Sequence, residues 1–320
     1  MGLAASRPLL TFVIGCTGSG KGQFGRALAR RTGGEIISAD SMKVYRRMDI
    51  GTAKPPPGVR AEIPHHLIDV VEPSVDFSVA QYVELADAAI ASVHARRRPI
   101  FVVGGTPMYI KAVSEGLFEG PSADGAIRTR LRAEATEAGT GPLHERLRRV
   151  DPAAAQRIHP NDLRRIVRAL EVFELTGQPI SALQTQWDRE HRRYECLFIG
   201  LQRERADQNQ RTNQRVQRMF EAGFVEEVAA LLREPVPLSR TAGKALGYAE
   251  IIEHLEGRAS LAEAVENIKI NTRHLAKAQR TWFKRFTLAE WIELKLEDDP
   301  ELLAEQLVAR YGSVWSPSPR

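Results

Sequence analysis

Leu9–Gly15 (LLTFVIG) is a short apolar run that ends in glycine and leads through a glycine-rich stretch into the helix-forming segment Gln23–Arg31. An unbroken apolar run of that length suits a strand buried on both faces, and strand, glycine-rich loop and helix in that order make a phosphate-binding turn. The linking residues Gly15, Cys16, Thr17, Gly18, Ser19, Gly20, Lys21 and Gly22 match G-x-x-x-x-G-K but end in glycine where the pattern has Ser or Thr. Backbone N–H groups converging on a phosphate, the helix N-terminus and the charge of Lys21 are the physical content of that motif. The hydroxyl that normally meets Mg²⁺ is missing. A glycine-rich turn without a ligand is the alternative.

The next segments continue the α/β pattern. Glu35–Ser38 reads as a second strand ending at Asp40, and Thr52–Pro64, rich in proline, as a loop. Ser78 and Gln81 form a capping-box pattern before an Ala-rich helix running to about Arg97, and Pro99–Val103 is a third buried strand ending at Gly104-Gly105-Thr106. The phosphate loop, Asp40 and Thr106 thus fall at carboxyl ends of strands, the edge where an open parallel sheet binds ligands. From residue 121 to 193 the pattern is helical, broken at Gly139–Pro142, Asp151-Pro152, His159-Pro160 and Gly177–Pro179, with no strand. Tyr194–Leu201 reads as a returning strand, followed by helices near Glu204–Glu221, Phe224–Arg233, Lys244–Glu256 and Ser260–Phe286. The expected fold is α/β: a P-loop core with a parallel sheet and flanking helices (1–120 and 194–312), a helical insertion domain (121–193), and a disordered tail (313–320).

The formal net charge of +5 permits a polyanionic partner, and its distribution says more than its total. Between Arg128 and Arg218 there are 18 arginines and no lysine against 12 acids. Arginine forks suit phosphate contacts and stacking on bases, although a solvated helical face laced with ion pairs has the same composition. On the last long helix, Leu261, Val265, Ile268, Thr272, Leu275, Trp282 and Phe286 fall on one face, with Arg273, Lys277, Arg280 and Lys284 roughly opposite. Extended to Phe286 that helix would be about 39 Å long, so its basic stripe could track a nucleic-acid backbone.

Other functions are excluded by what is lacking. No apolar stretch approaches the roughly 20 residues of a bilayer span, and Met1–Arg7 does not read as a secretory signal. Cys16 and Cys196 stand too far apart for a metal-ligand spacing or a disulfide framework, which fits a reducing cytoplasm. His65-His66 with Asp69 lacks a third ligand at a useful spacing, so a structural role is expected, with Asp69 as a metal-holding acid of an ATPase kept as an alternative.

These residues together resemble the tRNA dimethylallyltransferase (tRNA isopentenyltransferase) family over nearly the whole length. The blocks are GCTGSGKG, Asp40-Ser41 with Tyr45 and MDIGTAKP (Met48–Pro55), PHHLID (Pro64–Asp69), GGT with Tyr109, and PSAD (Pro121–Asp124). They continue in RIHPND–RIVRALEV (Arg157–Val172), LGY (Leu246–Tyr248) and TRHLAKAQRTWF (Thr272–Phe283). The resemblance implies an enzyme that moves the dimethylallyl group of dimethylallyl diphosphate to the exocyclic amine of the adenosine just 3′ of the anticodon, releasing pyrophosphate.

It implies roles for residues as well. Gly15 to Gly22 and Lys244 would hold the diphosphate with Mg²⁺, whose protein ligand is left open by Gly22. Asp40 would be the general base and Thr106 would align the amine and the leaving group. Positions resembling tRNA contacts are Ser41, Met42, Lys43, Arg128, Asn161, Asp162, Leu163, Arg164, Arg165, Gly247, Tyr248, Arg273, Lys277, Gln279 and Arg280. The implied partners are the tRNA anticodon stem-loop and dimethylallyl diphosphate, with no membrane, for a monomer in the cytoplasm. Departures cluster near the chemistry: Gly22 for Ser or Thr, Cys16 for Pro, Lys43 for Gln, Pro107 for Gly, and Ala278 for a basic residue. The alternatives are a P-loop kinase or isopentenyl transferase acting on a free nucleotide, and a catalytically impaired tRNA-binding homologue.

Overall fold

The computed structural model of the chain describes residues 7–118, 120–184, 192–295 and 297–315. They divide into two compact units, one formed by Met1–Ser114 with Arg193–Arg320 and the other by Glu115–Arg192.

The first unit is built on a six-stranded parallel sheet: β1 (Leu9–Gly15), β2 (Glu35–Ala39), β3 (His65–His66), β4 (Ile100–Gly104), β5 (Glu195–Arg203) and β6 (Glu290–Leu294), ordered β3-β2-β4-β1-β5-β6. The apolar runs read from sequence become its central strands because both faces are covered. Leu10, Phe12 and Ile14 of β1 pack on one side with Tyr82, Ile90, Ile110 and Phe283. Val13 packs on the other with Phe24 and Leu28 of the phosphate-loop helix and Leu307 near the C-terminus. The capping box at Ser78 and Gln81 is formed, and it starts the helix Val79–Ala95.

Elements without a clear signal in the sequence are short or ambiguous in composition. A one-and-a-half-turn helix, Pro57–Glu62, sits inside the expected loop, and the edge strands β3 and β6 add to the four strands expected. Lys244–Glu256 is not one helix: Arg240–Gly243 and Tyr248–Leu255 are separated around Gly247, whose φ is 91°. The last long helix spans Leu261–Phe283 rather than reaching Phe286. Its buried stripe is Ala264, Ile268, Thr272, Ala276, Gln279 and Phe283, whereas Leu261 and Leu275 are exposed.

The expected disordered tail is corrected at its start. Helix Pro300–Trp315 continues through Ser313, Val314 and Trp315, and residues 316–320 lie outside the described part. Trp315 is the reason, since its indole is buried, meets Phe101 edge-on at 5.6 Å and donates its N–H to Thr11 Oγ1 at 2.8 Å. One large aromatic docked on the sheet outweighs the weak helix propensity of the glycine and serine before it.

The second unit is helical among its described residues, with its own core of Leu131, Leu147, Ile166, Leu170 and neighbours. Its limits differ from the expected 121–193. Arg193 belongs to the sheet unit, where its guanidinium pairs with Asp87 and its N–H reaches Ser114 O at 2.9 Å. Many of the unit's arginines are spent internally: Arg128 and Arg168 flank the buried Glu171, Arg130 and Arg146 share Glu174, and Arg165 meets Asp162. Arg132, Arg157 and Arg164 stay exposed. Among the described residues no helix is long and apolar enough to cross a membrane.

Trp315→Ala should cost about 3–5 kcal/mol of unfolding free energy, the usual range for truncating a buried aromatic. Urea denaturation of the full chain checks it, and a disordered tail would show no change.

Candidate active site

The carboxyl ends of β1, β2 and β4 converge on a cavity of about 760 Å³. It is lined on one side by Thr17, Gly18, Gly20, Lys21 and Gly22, and on others by Asp40, Ser41, Lys43, Thr106, Arg215 and Leu275. The expected phosphate loop, base and threonine therefore meet in one place, as the parallel topology requires.

Within the loop, Gly20 has φ 96° at the start of helix Lys21–Thr32, a left-handed turn that glycine adopts without strain. Ser19 N–H donates to Cys16 O at 3.2 Å, and Lys21 Nζ donates to the same carbonyl at 3.2 Å. Cys16 is buried, which pushes its thiol pKa up. The loop's outward carbonyls are taken by side chains from distant segments: Arg203 Nε on Ser19 O (3.1 Å), Gln208 Nε2 on Thr17 O (2.7 Å) and Arg211 Nε on Gly18 O (3.3 Å). These contacts fix three of the loop's carbonyls from distant segments.

Asp40 Oδ1 accepts N–H bonds from Met42 (3.0 Å) and Lys43 (3.4 Å), while Oδ2 has no hydrogen-bond partner among the described residues. Thr106 N–H donates to Ala39 O at 3.1 Å, and Thr106 Oγ1 accepts the Ser41 N–H at 3.1 Å. These bonds zip the β2 and β4 loops together and fix the carboxylate beside the threonine. The remaining charged groups of the cavity are cations. Burial lowers the pKa of Lys21 to about 8, with Asp40 opposing the shift and Lys43 and Arg215 adding to it. Lys43 and Arg215 are likewise pushed down by burial.

Some expected residues have other work. Lys244 is exposed and does not line the cavity, because the one-turn helix before it ends there; Arg215, from helix Arg205–Glu221, lies in the cavity instead, its Nη1 3.4 Å from Thr17 Oγ1. Gln279 is buried, and its amide accepts from Thr17 N–H at 2.7 Å and donates to Gly105 O at 2.6 Å, bridging two loops of the site. Arg280 donates to Gln208 Oε1 at 2.5 Å and so supports the loop indirectly. Tyr248 and Gly247 line the cavity from within; the Tyr248 hydroxyl donates to Glu227 at 2.6 Å. Glu227 also accepts from the backbone of Asp49, Ile50 and Gly51. A Cβ on Gly51 would stand 2.2 Å from the Phe224 ring, so this segment of MDIGTAKP admits only glycine.

In the helical unit, Arg128 is committed to Glu171, Asp162 caps helix Leu163–Thr176 through Arg165 N–H, and Leu163 packs on the unit's core. The Asn161 backbone N–H reaches His159, and Arg164 is exposed. On the long helix Lys277 is exposed, while Arg273 lies 3.5 Å from Glu266. Asp69 holds Lys54 and Arg60 at 2.6 and 2.5 Å, so its two oxygens serve a structural ion pair. His65 and His66 are engaged by Ile63 O and Glu35, the structural outcome expected for them.

The donor set does not make a protein-built Mg²⁺ site. Position 22 offers no side-chain oxygen, Asp40 is the one carboxylate among the cavity residues, and no cluster of three metal-ligating side chains occurs among the described residues.

Sequence reasoning missed Arg203, Gln208, Arg211 and Arg215, which sit in the arginine-rich stretch but carry no motif around them. Arg203 ends the returning strand, and the other three lie on the helix that follows it.

The IPP transferase family matches residues 43–286. A tRNA dimethylallyltransferase of Geobacter sulfurreducens is 47% identical over 290 residues, spanning 91% of this chain and 93% of that protein. One from Symbiobacterium thermophilum is 46% identical over 307 residues, 96% of each. Among solved structures, a tRNA isopentenylpyrophosphate transferase of Bacillus halodurans is 36% identical with a TM-score of 0.68, covering 96% of this chain and 98% of that one. A eukaryotic dimethylallyltransferase acting on tRNA, 24% identical, shares the fold with a TM-score of 0.82 over 98% of this chain and 81% of its own. Identity this high, sustained over nearly the full length of both partners, places the cavity in a known lineage: the chain belongs to the IPP transferase family.

Proposed function

We propose that the protein is a tRNA dimethylallyltransferase, transferring the dimethylallyl group of dimethylallyl diphosphate to the exocyclic N6 amine of the adenosine 3′-adjacent to the anticodon. The observation that carries this reading is the pairing, in one cavity, of a cationic phosphate loop with a carboxylate whose Oδ2 is unengaged among the described residues. Such a loop holds a leaving group. Such a carboxylate takes a proton.

In this reading the loop amides, Lys21 and Arg215 bind the diphosphate, and Leu275, Met219 and Val216 give the dimethylallyl tail an apolar wall. The adenine amine is a weak nucleophile, because its lone pair is delocalised into the ring. Asp40 accepts an amine proton as the new C–N bond forms and the C–O bond to diphosphate breaks, while Thr106 orients the amine. Cationic side chains stabilise the charge that develops on pyrophosphate. Any Mg²⁺ arrives on diphosphate oxygens and water rather than on a protein ligand. The adenosine must leave its stack to reach the cavity, and exposed cations of each unit, Lys277 in one and Arg164 in the other, bind tRNA phosphates. The cytoplasm, where tRNA is found, is the matching compartment, and nothing in the reaction calls for a second copy of the chain.

Asp40→Asn keeps an acceptor for the Met42 and Lys43 amides while removing the base. Single-turnover transfer should fall by about 10²-fold or more, with diphosphate affinity equal or tighter because a negative charge is lost beside the cations. Near-normal transfer would remove Asp40 from its role.

Affinity for dimethylallyl diphosphate should depend on pH through Lys21, whose pKa in the free protein is about 8. An anionic ligand favours the ammonium, so affinity holds below that pH and falls above it, by about tenfold between pH 7 and 9. Calorimetric titrations across that range read the slope, and Lys21→Gln should flatten it.

Binding of tRNA should weaken steeply with salt. Arg164→Ala and Lys277→Ala should each lower the slope of log affinity against log salt by about 1 if each meets a phosphate. Filter binding over a salt series measures this, and a flat dependence would favour a free-nucleotide substrate.

A further inference from the structure

Helix Lys21–Thr32 carries a cation that the reaction above does not use. Arg26 stands one turn beyond Gly22, and its Nη1 lies 3.5 Å from the point a Cβ on Gly22 would occupy. The guanidinium therefore rests against the very place where a phosphate loop ordinarily carries its metal-binding hydroxyl. It lines the same cavity as Lys21, Lys43 and Arg215. Neighbouring Arg30 is held by Glu62 and Glu301, whereas Arg26 has no hydrogen-bond or ion-pair partner among the described residues.

That arrangement is costly without a ligand. Arg26 is half-buried, and burial lowers its pKa. A cation taken partly out of water with no counter-charge loses solvation energy that nothing in the chain returns. Six cationic side chains line this cavity, Lys21, Arg26, Lys43, Arg211, Arg215 and Arg218, against a single carboxylate, Asp40. A fully ionised diphosphate is the kind of ligand that balances such a surplus, and a planar guanidinium can meet two of its oxygens at once.

The residues at 22 and 26 are neighbours: a Cβ on Gly22 would stand in ordinary van der Waals contact with Arg26 Nη1.

We propose that Arg26 is a diphosphate-binding residue that supplies, from the protein, charge neutralisation which a metal ion on a position-22 hydroxyl would otherwise give, so that this cavity grips a diphosphate without Mg²⁺. The inference rests on the assignment of the loop to a diphosphate. It differs from that assignment in naming the residue and removing the metal requirement for binding.

Inorganic pyrophosphate is the probe, titrated calorimetrically into the full-length protein in EDTA and again in excess Mg²⁺. Wild type, Arg26→Met and Arg26→Lys are compared, with thermal melts to establish that each is folded. Methionine keeps the aliphatic stem and removes the charge. Wild type should bind in EDTA. Arg26→Met should lose about tenfold or more of that metal-free affinity, in line with the loss of a charge-assisted contact, and recover part of it when Mg²⁺ is added. Arg26→Lys should fall between the two, and it alone carries the comparison should Arg26→Met fail to fold. Metal-free affinity within about twofold of wild type in both variants would overturn the role of Arg26 and leave the loop's assignment standing. Wild-type binding that appears only with Mg²⁺ would overturn the inference in the same way. No pyrophosphate binding in either buffer would overturn the diphosphate assignment and this inference with it.

Discussion

The site depends on a set of side-chain clamps that hold the phosphate loop from outside. Gln279 ties Thr17 N–H to Gly105 O, and Gln208, Arg203 and Arg211 occupy the carbonyls of Thr17, Ser19 and Gly18. A glycine-rich loop has the largest conformational entropy to lose, and glycine supplies no side chain of its own to fix it. Here the fixing groups come from β5, from helix Arg205–Glu221 and from helix Leu261–Phe283. An amide such as Gln279 suits the task because one group donates and accepts at once, satisfying a buried N–H and a buried carbonyl on different loops.

A second constraint is electrostatic. Arginines and lysines line the cavity around one carboxylate, and burial pulls the Lys21 pKa to about 8. The protein keeps a cavity that is unfavourable when empty and favourable when an anion fills it. An anion entering such a cavity meets charges that are already placed, so its binding costs little reorganisation. Asp40 shares in this balance: it opposes the lowering of the Lys21 pKa, and its Oδ1 accepts the Met42 and Lys43 N–H groups.

Elsewhere the same residue type is used for the opposite purpose. In the helical unit, Glu171 and Glu174 absorb Arg128, Arg168, Arg130 and Arg146, so a count of arginines overstates the charge offered to a polyanion. Exposed arginines such as Arg132, Arg157 and Arg164 are part of what that surface presents. Composition could not separate the two populations, because pairing is a matter of which helix faces pack together.

Local chemistry made much of the molecule legible in the sequence. The central strands β1, β2, β4 and β5 announce themselves as apolar runs, the Ser78 capping box marks a real helix start, and strand, loop and helix in order placed the phosphate loop, Asp40 and Thr106 on one sheet edge. Those features depend on neighbours in the chain, which is why periodicity and spacing reveal them. Edge strands β3 and β6, the docking of Trp315, the withdrawal of Lys244 and the entry of Arg215 into the cavity depend on partners far away in sequence. The sequence by itself determined which segments could form strands and which loop could hold a phosphate. Only the tertiary structure decided which cations face the cavity, because side-chain direction and pairing depend on how distant elements pack.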